Sequence, residues 1–284
     1  MGFIETASRR AASYARVSCS IRETHYCVWK TFLLLVLAIG PCSLSYSQSS
    51  DTNLPDAPKP ATDAKDMVRV RDTARNILKD QEAIWTSPAR IRESNGVIPI
   101  ALVLATTATI TTDHQVMSSS KLQNPSLNSE AVTASNGLLG GFVAAPVLIY
   151  GMGRIHDDDH ATETGILGGE AMVDALVVDE VMKAISLRER PALDNAKGRF
   201  FQTSVGLNSS FPSTHTMICW SSAAVITSEY GGPLTKLTAY GLATGVSVTR
   251  VLGREHFPSD VLVGSAVGWM IGHYVVHRHR HFDN

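Results

Sequence analysis

The chain has 284 residues, of which 18% are charged, and its formal net charge is −1 at neutral pH. That near-balance excludes the broad basic footprint by which proteins hold nucleic acid. The length suits one domain of about 190 residues with an N-terminal extension.

Residues 1–30 are basic, with Arg9, Arg10, Arg16, Arg22 and Lys30, and residues 31–40 form an apolar run. Pro41 follows, then Ser45 and Ser47 stand at the −3 and −1 places before Gln48. This is the pattern of a secretory signal peptide. An uncleaved anchor is the alternative, although the run is shorter than the roughly 20 residues a span needs. Cys19, Cys27 and Cys42 lie in this leader, so a mature chain would keep Cys219 alone and form no internal disulfide. Residues 1–47 are therefore expected to be a signal or anchor, and the product to be exported to the periplasm or cell envelope. Residues 48–64, rich in Ser, Asp and Pro, read as a linker. Residues 66–85 carry Met67, Val70, Ala74, Ile77, Leu78, Ile84 and Trp85 at near-helical spacing. They predict an amphipathic helix packed on the domain or lying on a membrane surface.

Six further helices are predicted within a domain covering residues 96–284: residues 97–112, 137–153 (interrupted by Pro146), 164–187, 213–230, 233–252 and 258–277. No stretch of any length alternates apolar and polar residues, so the fold class is all-α, a helical bundle of about six core helices. The unbroken apolar runs are about 15–17 residues, short of a comfortable span. Glu170, Asp174, Asp179 and Glu180 would each be costly at a bilayer centre. A compact bundle, free or attached to a membrane face, is expected over one with several spans. Buried acids facing a bundle interior keep the membrane-embedded alternative open.

Three stretches carry chemistry. In residues 249–260, Arg250, His256 and Asp260 stand in fixed register, and Pro258 suits the first turn of a helix because its missing N–H costs nothing there. His256 then lies just before the helix and Asp260 in its first turn. Asp260 can accept the N–H of one ring nitrogen, fix the tautomer and leave the other lone pair free to attack. In residues 183–191, Lys183 precedes the Arg190–Pro191 pair by seven residues. In residues 211–216, Pro212 and Ser213 open an apolar helical run whose free N–H groups form an anion cradle, with His215 beside it. Three cations, a helix N-terminus, two histidines and an aspartate make a phosphoryl-transfer site with a histidine nucleophile.

The order and internal spacing of these stretches resemble the three signatures of the type 2 phosphatidic acid phosphatase superfamily. That superfamily also holds bacterial class A acid phosphatases and vanadium haloperoxidases. The resemblance implies their helical fold and a phosphohistidine mechanism without metal or other cofactor. It implies His256 as nucleophile, Asp260 as its support and His215 as the acid and then the base. Lys183, Arg190, Ser213, Thr214 and Arg250 would bind the phosphoryl group. Thr214 stands where the family has Gly and Thr249 where it has Ser. The function implied is a phosphatase of lipid phosphates, such as phosphatidate or an isoprenyl diphosphate, with membrane association. A broad periplasmic acid phosphatase acting on small esters is the alternative, and a vanadate-dependent haloperoxidase a third.

Other features have bland readings. Residues 156–160, His-Asp-Asp-Asp-His, are expected to be a solvated loop rather than a metal site. His273, His277, His279 and His281 are expected to form a frayed polar tail. Arg188 and Arg254 are expected to be solvated or rim charges.

Overall fold

A computed structural model describes residues 70–87 and 97–280. The expected signal segment, the linker, the first residues of the predicted amphipathic helix and His281 lie outside the described residues. Those residues form α1 (Val70–Thr86), α2 (Val97–Met117), α3 (Pro125–His156), α4 (Asp159–Ser186), α5 (Thr214–Glu229), α6 (Pro233–Leu252) and α7 (Pro258–His279), with short 3₁₀ turns between some of them and no strand. The all-α class is borne out.

The helix ends follow local chemistry. Asn124 caps α3 by accepting from the Ser126 N–H, with Pro125 in the first turn. Asp158 caps α4 by accepting from the Ala161 N–H at 3.0 Å. Only Asp157 and Asp158 separate α3 from α4, so the expected solvated loop is a tight turn. Its His160 is turned onto Glu229, 2.9 Å away, and packs edge-on against Tyr230.

Helix α5 is apolar or small on every face, the mark of a helix with no solvent side. Leu167, Ala171, Ala175 and Val178 of α4 pack against Met217 and Val225 of α5 and Ile271 and Val275 of α7. On its other side Ile218, Cys219 and Ala223 of α5 meet Leu139 and Phe142 of α3 and Ala239, Ala243 and Val246 of α6. Leu167, Met217 and Val225 are fully buried; truncating such a Leu to Ala would cost about 2–5 kcal/mol.

Gly264, Gly268 and Gly272, spaced by four, line the face of α7 that meets α5. A Cβ at these positions would collide with the carbonyl oxygens of Ser213, Met217 and Ser221 respectively. The two backbones therefore approach along a seam that no larger residue could occupy.

Pro146 does not interrupt α3 as expected. Its ring sits over Gly168 of α4, where a Cβ would come within 2.9 Å, and its carbonyl faces Gly165. Tertiary packing on the two α4 glycines holds the helix through the missing hydrogen bond. Helices α2 and α3 are also longer than expected, 21 and 32 residues, and both are long and apolar enough to cross a membrane. Threonines extend α2: the hydroxyls of Thr107 and Thr109 donate back to the carbonyls of Val103 and Ala105 at 2.8 Å, so neither is left unsatisfied. Val97, Ile98, Ile100, Val103 and Leu104 on α2 are each between 61% and 72% exposed.

Candidate active site

The three motif stretches meet at one end of the bundle, where α4 and α6 finish and α5 and α7 begin. Leu187 takes a left-handed conformation (φ 43°) with its N–H on the Lys183 carbonyl, which ends α4 and turns the chain inward at Arg188. Pro258 opens α7, and the Asp260 carboxylate accepts the Phe257 N–H at 2.8 Å, tying down the helix start.

The three expected cations are all buried. Lys183 donates to Asp179, one turn earlier on α4, at 2.7 Å, and is hydrogen-bonded to Thr214. Thr214 in turn donates to Asp179 at 2.8 Å. Arg190 and Arg250 share one carboxylate: Glu255 Oε2 lies 3.0 Å from Arg190 Nη1 and 3.3 Å from Arg250 Nη2. Arg190 also donates to Asn208 at 3.1 Å, and Arg250 to Ser135 at 3.2 Å. Burial pulls the Arg250 pKa down to about 10, opposed by the Glu255 charge, and the guanidinium stays charged at neutral pH. Two buried donors, Ser213 Oγ and Arg250 Nε, have no hydrogen-bond partner among the described residues. Asp179 Oδ1 also lacks a hydrogen-bond partner among the described residues, but each carboxylate of the site already faces a cation, and three cations with two spare donors suit an anion rather than a metal ion.

His256 is 1% exposed. Its Nδ1 lies 2.7 Å from the Ser210 carbonyl. A carbonyl can only accept, so Nδ1 carries the proton and Nε2 keeps its lone pair. Burial first, and then the charges of Arg190, Arg250 and Lys183, hold the ring's pKa well below the ordinary 6.5. The imidazole is thus neutral, as a nucleophile must be.

Asp260 does not bond the ring directly, as the spacing suggested. Its Oδ2 is 3.8 Å from Nδ1. The first turn of α7 aims the carboxylate at the Ser210 hydroxyl, 2.5 Å away, and at the Phe257 N–H. Asp260 therefore holds the residue whose carbonyl orients His256. Burial pushes the Asp260 carboxyl up to about 6, against the opposing charge of Arg188 and these hydrogen bonds.

Arg188 is neither solvated nor a rim charge. It is 2% exposed. It donates to Asp260 at 2.5 Å, Asp113 of α2 at 2.7 Å, Ser259 at 2.7 Å and the Gly198 carbonyl at 3.2 Å. Its guanidinium carbon lies 4.6 and 4.2 Å from the ring centres of Phe200 and Phe257. Arg254 is half-buried and donates to the carbonyls of Met117 and Pro191 at 3.2 and 3.3 Å. Both arginines fasten loops rather than face water.

His215, half-buried in the first turn of α5, lies 3.0 Å from the Asn136 side chain. Thr249 turns its hydroxyl back to the Gly245 and Val246 carbonyls and is not part of this constellation.

Sequence reasoning missed Arg188, Asp113, Asp179, Ser210 and Glu255. Two left a readable sign. Asp113 is a lone acid at the end of an apolar helix, and Asp179 stands four residues before Lys183, the spacing of an ion pair on one helix face. Ser210 meets His256 from a segment distant in sequence and left none, while Glu255 lies within the third motif, five residues from the Arg250 it contacts.

Residues 164–282 match the family described as the PAP2 superfamily. Lipid A 1-phosphatase of Porphyromonas gingivalis is 35% identical over 65 residues, which cover 22% of this chain and 15% of that protein. The chain thus matches a small part of the length of that curated relative. No solved structure matches.

Proposed function

We propose, from the match of residues 164–282 to the PAP2 superfamily, that the chain is a phosphatase acting on lipid phosphates through a phosphohistidine on His256. The observation that carries this is the neutral, buried imidazole with its Nδ1 proton committed to Ser210 and three cations acting on it. The similarity to a lipid A 1-phosphatase and the apolar flank of α2 favour a substrate presented at a membrane surface.

In this reading Lys183, Arg190 and Arg250 neutralise the phosphoryl oxygens, and Ser213 Oγ and Arg250 Nε supply the donors that the protein leaves unsatisfied. The Nε2 lone pair of His256 forms an N–P bond as the P–O bond to the leaving group breaks. His215, protonated, gives its proton to the departing alkoxide. Water then attacks phosphorus, His215 takes the proton released, and the N–P bond breaks to free phosphate. Thr214, hydrogen-bonded to Lys183 and Asp179, fixes the lysine ammonium at the pocket edge.

Rapid-mix kinetics separate the two histidines. His256→Ala should abolish turnover of alkyl and aryl esters alike. His215→Ala should lose about 10²–10⁴ on alkyl esters, yet release a burst of nitrophenol and stall with phosphate on His256, visible by intact mass. A burst from His256→Ala would reverse the roles, and the lack of any covalent adduct would mean direct attack by water. A panel of lipid phosphates, isoprenyl diphosphates and soluble esters tests the substrate class.

A further inference from the structure

The proposed chemistry leaves unused a second cluster of buried charge, about 20 Å along α4 from Lys183 by the helical rise of thirteen residues. Asp80 of α1 and Glu170 and Asp174 of α4 are all fully buried. His279, in the last turn of α7, places Nε2 2.8 Å from Asp80 Oδ2 and 3.4 Å from Glu170 Oε1. The expected frayed tail is thus an ordered helix end folded onto α1 and α4. One ligand atom each from Asp80, Glu170 and His279 lies within 4.8 Å of the others.

Hydrogen bonding among protein groups does not account for this cluster. Asn76 and Asp80 of α1 lie beside Glu170, yet neither Glu170 carboxylate oxygen meets hydrogen-bond geometry with any of the described residues. Asp174 accepts from Gln81 at 2.8 Å through one oxygen, and its other oxygen has no hydrogen-bond partner among the described residues. Three buried carboxylates face one imidazole and the Arg278 guanidinium, which is 40% exposed and lies 3.4 Å from Asp80. Asp80 also accepts from the Tyr274 hydroxyl at 3.2 Å, but a buried carboxylate without hydrogen bonds, as at Glu170, beside two other acids is costly unless a cation joins them.

We infer that Asp80, Glu170 and His279 bind a divalent cation, with Asp174 as a fourth oxygen donor or second-layer support. Metal–ligand bonds of about 2.1 Å give ligand–ligand edges of about 3.0 Å in octahedral and 3.4 Å in tetrahedral geometry. The observed 3.4 Å edge falls in that range, and the 2.8 Å edge lies just below it. An imidazole with carboxylates suits a borderline ion such as Zn²⁺ and disfavours Ca²⁺, which takes oxygen ligands. The three ligands come from α1, α4 and α7, so the ion clasps α1 and the end of α7 to the bundle. Its role is structural and separate from phosphoryl transfer.

The test uses the full-length protein, stripped with chelator and dialysed, then titrated with Zn²⁺ and with Ca²⁺ by calorimetry and followed by thermal melting. One Zn²⁺ per chain should bind, with a rise in melting temperature that Ca²⁺ does not reproduce. Glu170→Gln, which keeps the side-chain shape, and His279→Ala should each weaken Zn²⁺ binding by more than about 100-fold. Absence of Zn²⁺ binding to the stripped wild type overturns the inference. So does binding that survives undiminished in both variants, which would place the ion elsewhere. If His279→Ala does not fold, the isosteric Glu170→Gln alone decides. A Zn²⁺-dependent melting temperature that is lost in Glu170→Gln supports the site whatever the phosphatase assays show.

Discussion

Arg188 offers the sharpest test of how this site is built. Replacing it with Met keeps much of the stem and removes the guanidinium. Asp113 and Asp260, 3% and 0% exposed at their side chains, then face each other's surroundings with no cation between them. Breaking a buried ion pair from one side costs about 3–5 kcal/mol, mostly from the charge left behind. For a domain of this size, each kcal/mol lowers the melting temperature by about 2–4 °C. Arg188→Met should therefore melt about 6–20 °C below wild type. Adding Asp113→Asn removes one stranded charge, so the double variant should recover part of the loss, with a coupling of at least about 1 kcal/mol. Arg188→Lys can reach one carboxylate but lacks the planar fork for both. It should fold yet turn over more slowly, because Asp260 no longer holds Ser210 firmly under His256. Thermal melts of wild type, Arg188→Met, Asp113→Asn, the double variant and Arg188→Lys, with steady-state rates on a nitrophenyl ester, suffice. If Arg188→Met melts within 2 °C of wild type, or if the two substitutions add within about 0.5 kcal/mol, the clamp does not exist as described.

Four further outcomes follow from particular contacts. Glu255→Gln should tighten competitive inhibition by inorganic phosphate about tenfold, because the carboxylate now on Arg190 and Arg250 competes for the same donors; weaker inhibition would show that Glu255 assists binding. Thr214→Gly should free the Lys183 ammonium and keep or raise activity on bulky esters, whereas a uniform drop of more than about tenfold, roughly 1.4 kcal/mol in the barrier, would assign the hydroxyl a part in turnover. His256 has its folded pKa held below the unfolded value of 6.5, so below pH 6.5 the unfolded chain takes the proton first and stability falls with pH by up to about 1.4 kcal/mol per unit. Asp260, raised to about 6, acts in the opposite sense between 3.8 and 6, so the effect is read as a shallower acid loss in His256→Gln than in wild type, and identical slopes would contradict a neutral imidazole. Vanadate, trigonal bipyramidal like the transition state, should inhibit competitively and fail to do so in Arg250→Ala.

The motif spacings were legible because each places charged groups at a helix end, where backbone chemistry already defines their surroundings. Lys183 closes α4, Ser213 precedes α5 and Asp260 sits in the first turn of α7. What spacing cannot convey is which neighbour a side chain meets across the bundle. Asp260 stands four residues from His256, a separation that suggests contact, yet the turn at Pro258 aims it at Ser210 instead. Arg188 reads as a variable position between two motif residues, and its burial depends on Phe200, Phe257 and Asp113 arriving from elsewhere. Pro146 reads as a break because its local cost is visible and the compensating glycines on α4 are not adjacent in sequence. The seam glycines, by contrast, repeat every four residues in the sequence itself and could have been read as a close helix contact.

That seam has a mechanical consequence. Ser213 and His215 stand at the start of one of its helices, and Asp260 at the start of the other with His256 just ahead of it. Their separation is thus set by two backbones in near contact, with no flexible side chains between them to act as a cushion. The helices cannot breathe apart gradually without losing the whole contact, and sliding is quantised, since the next position that seats the glycines lies four residues, about 6 Å, along the helix. Side chains mounted this way behave like jaws on a common casting: the gap between them is machined once, at folding.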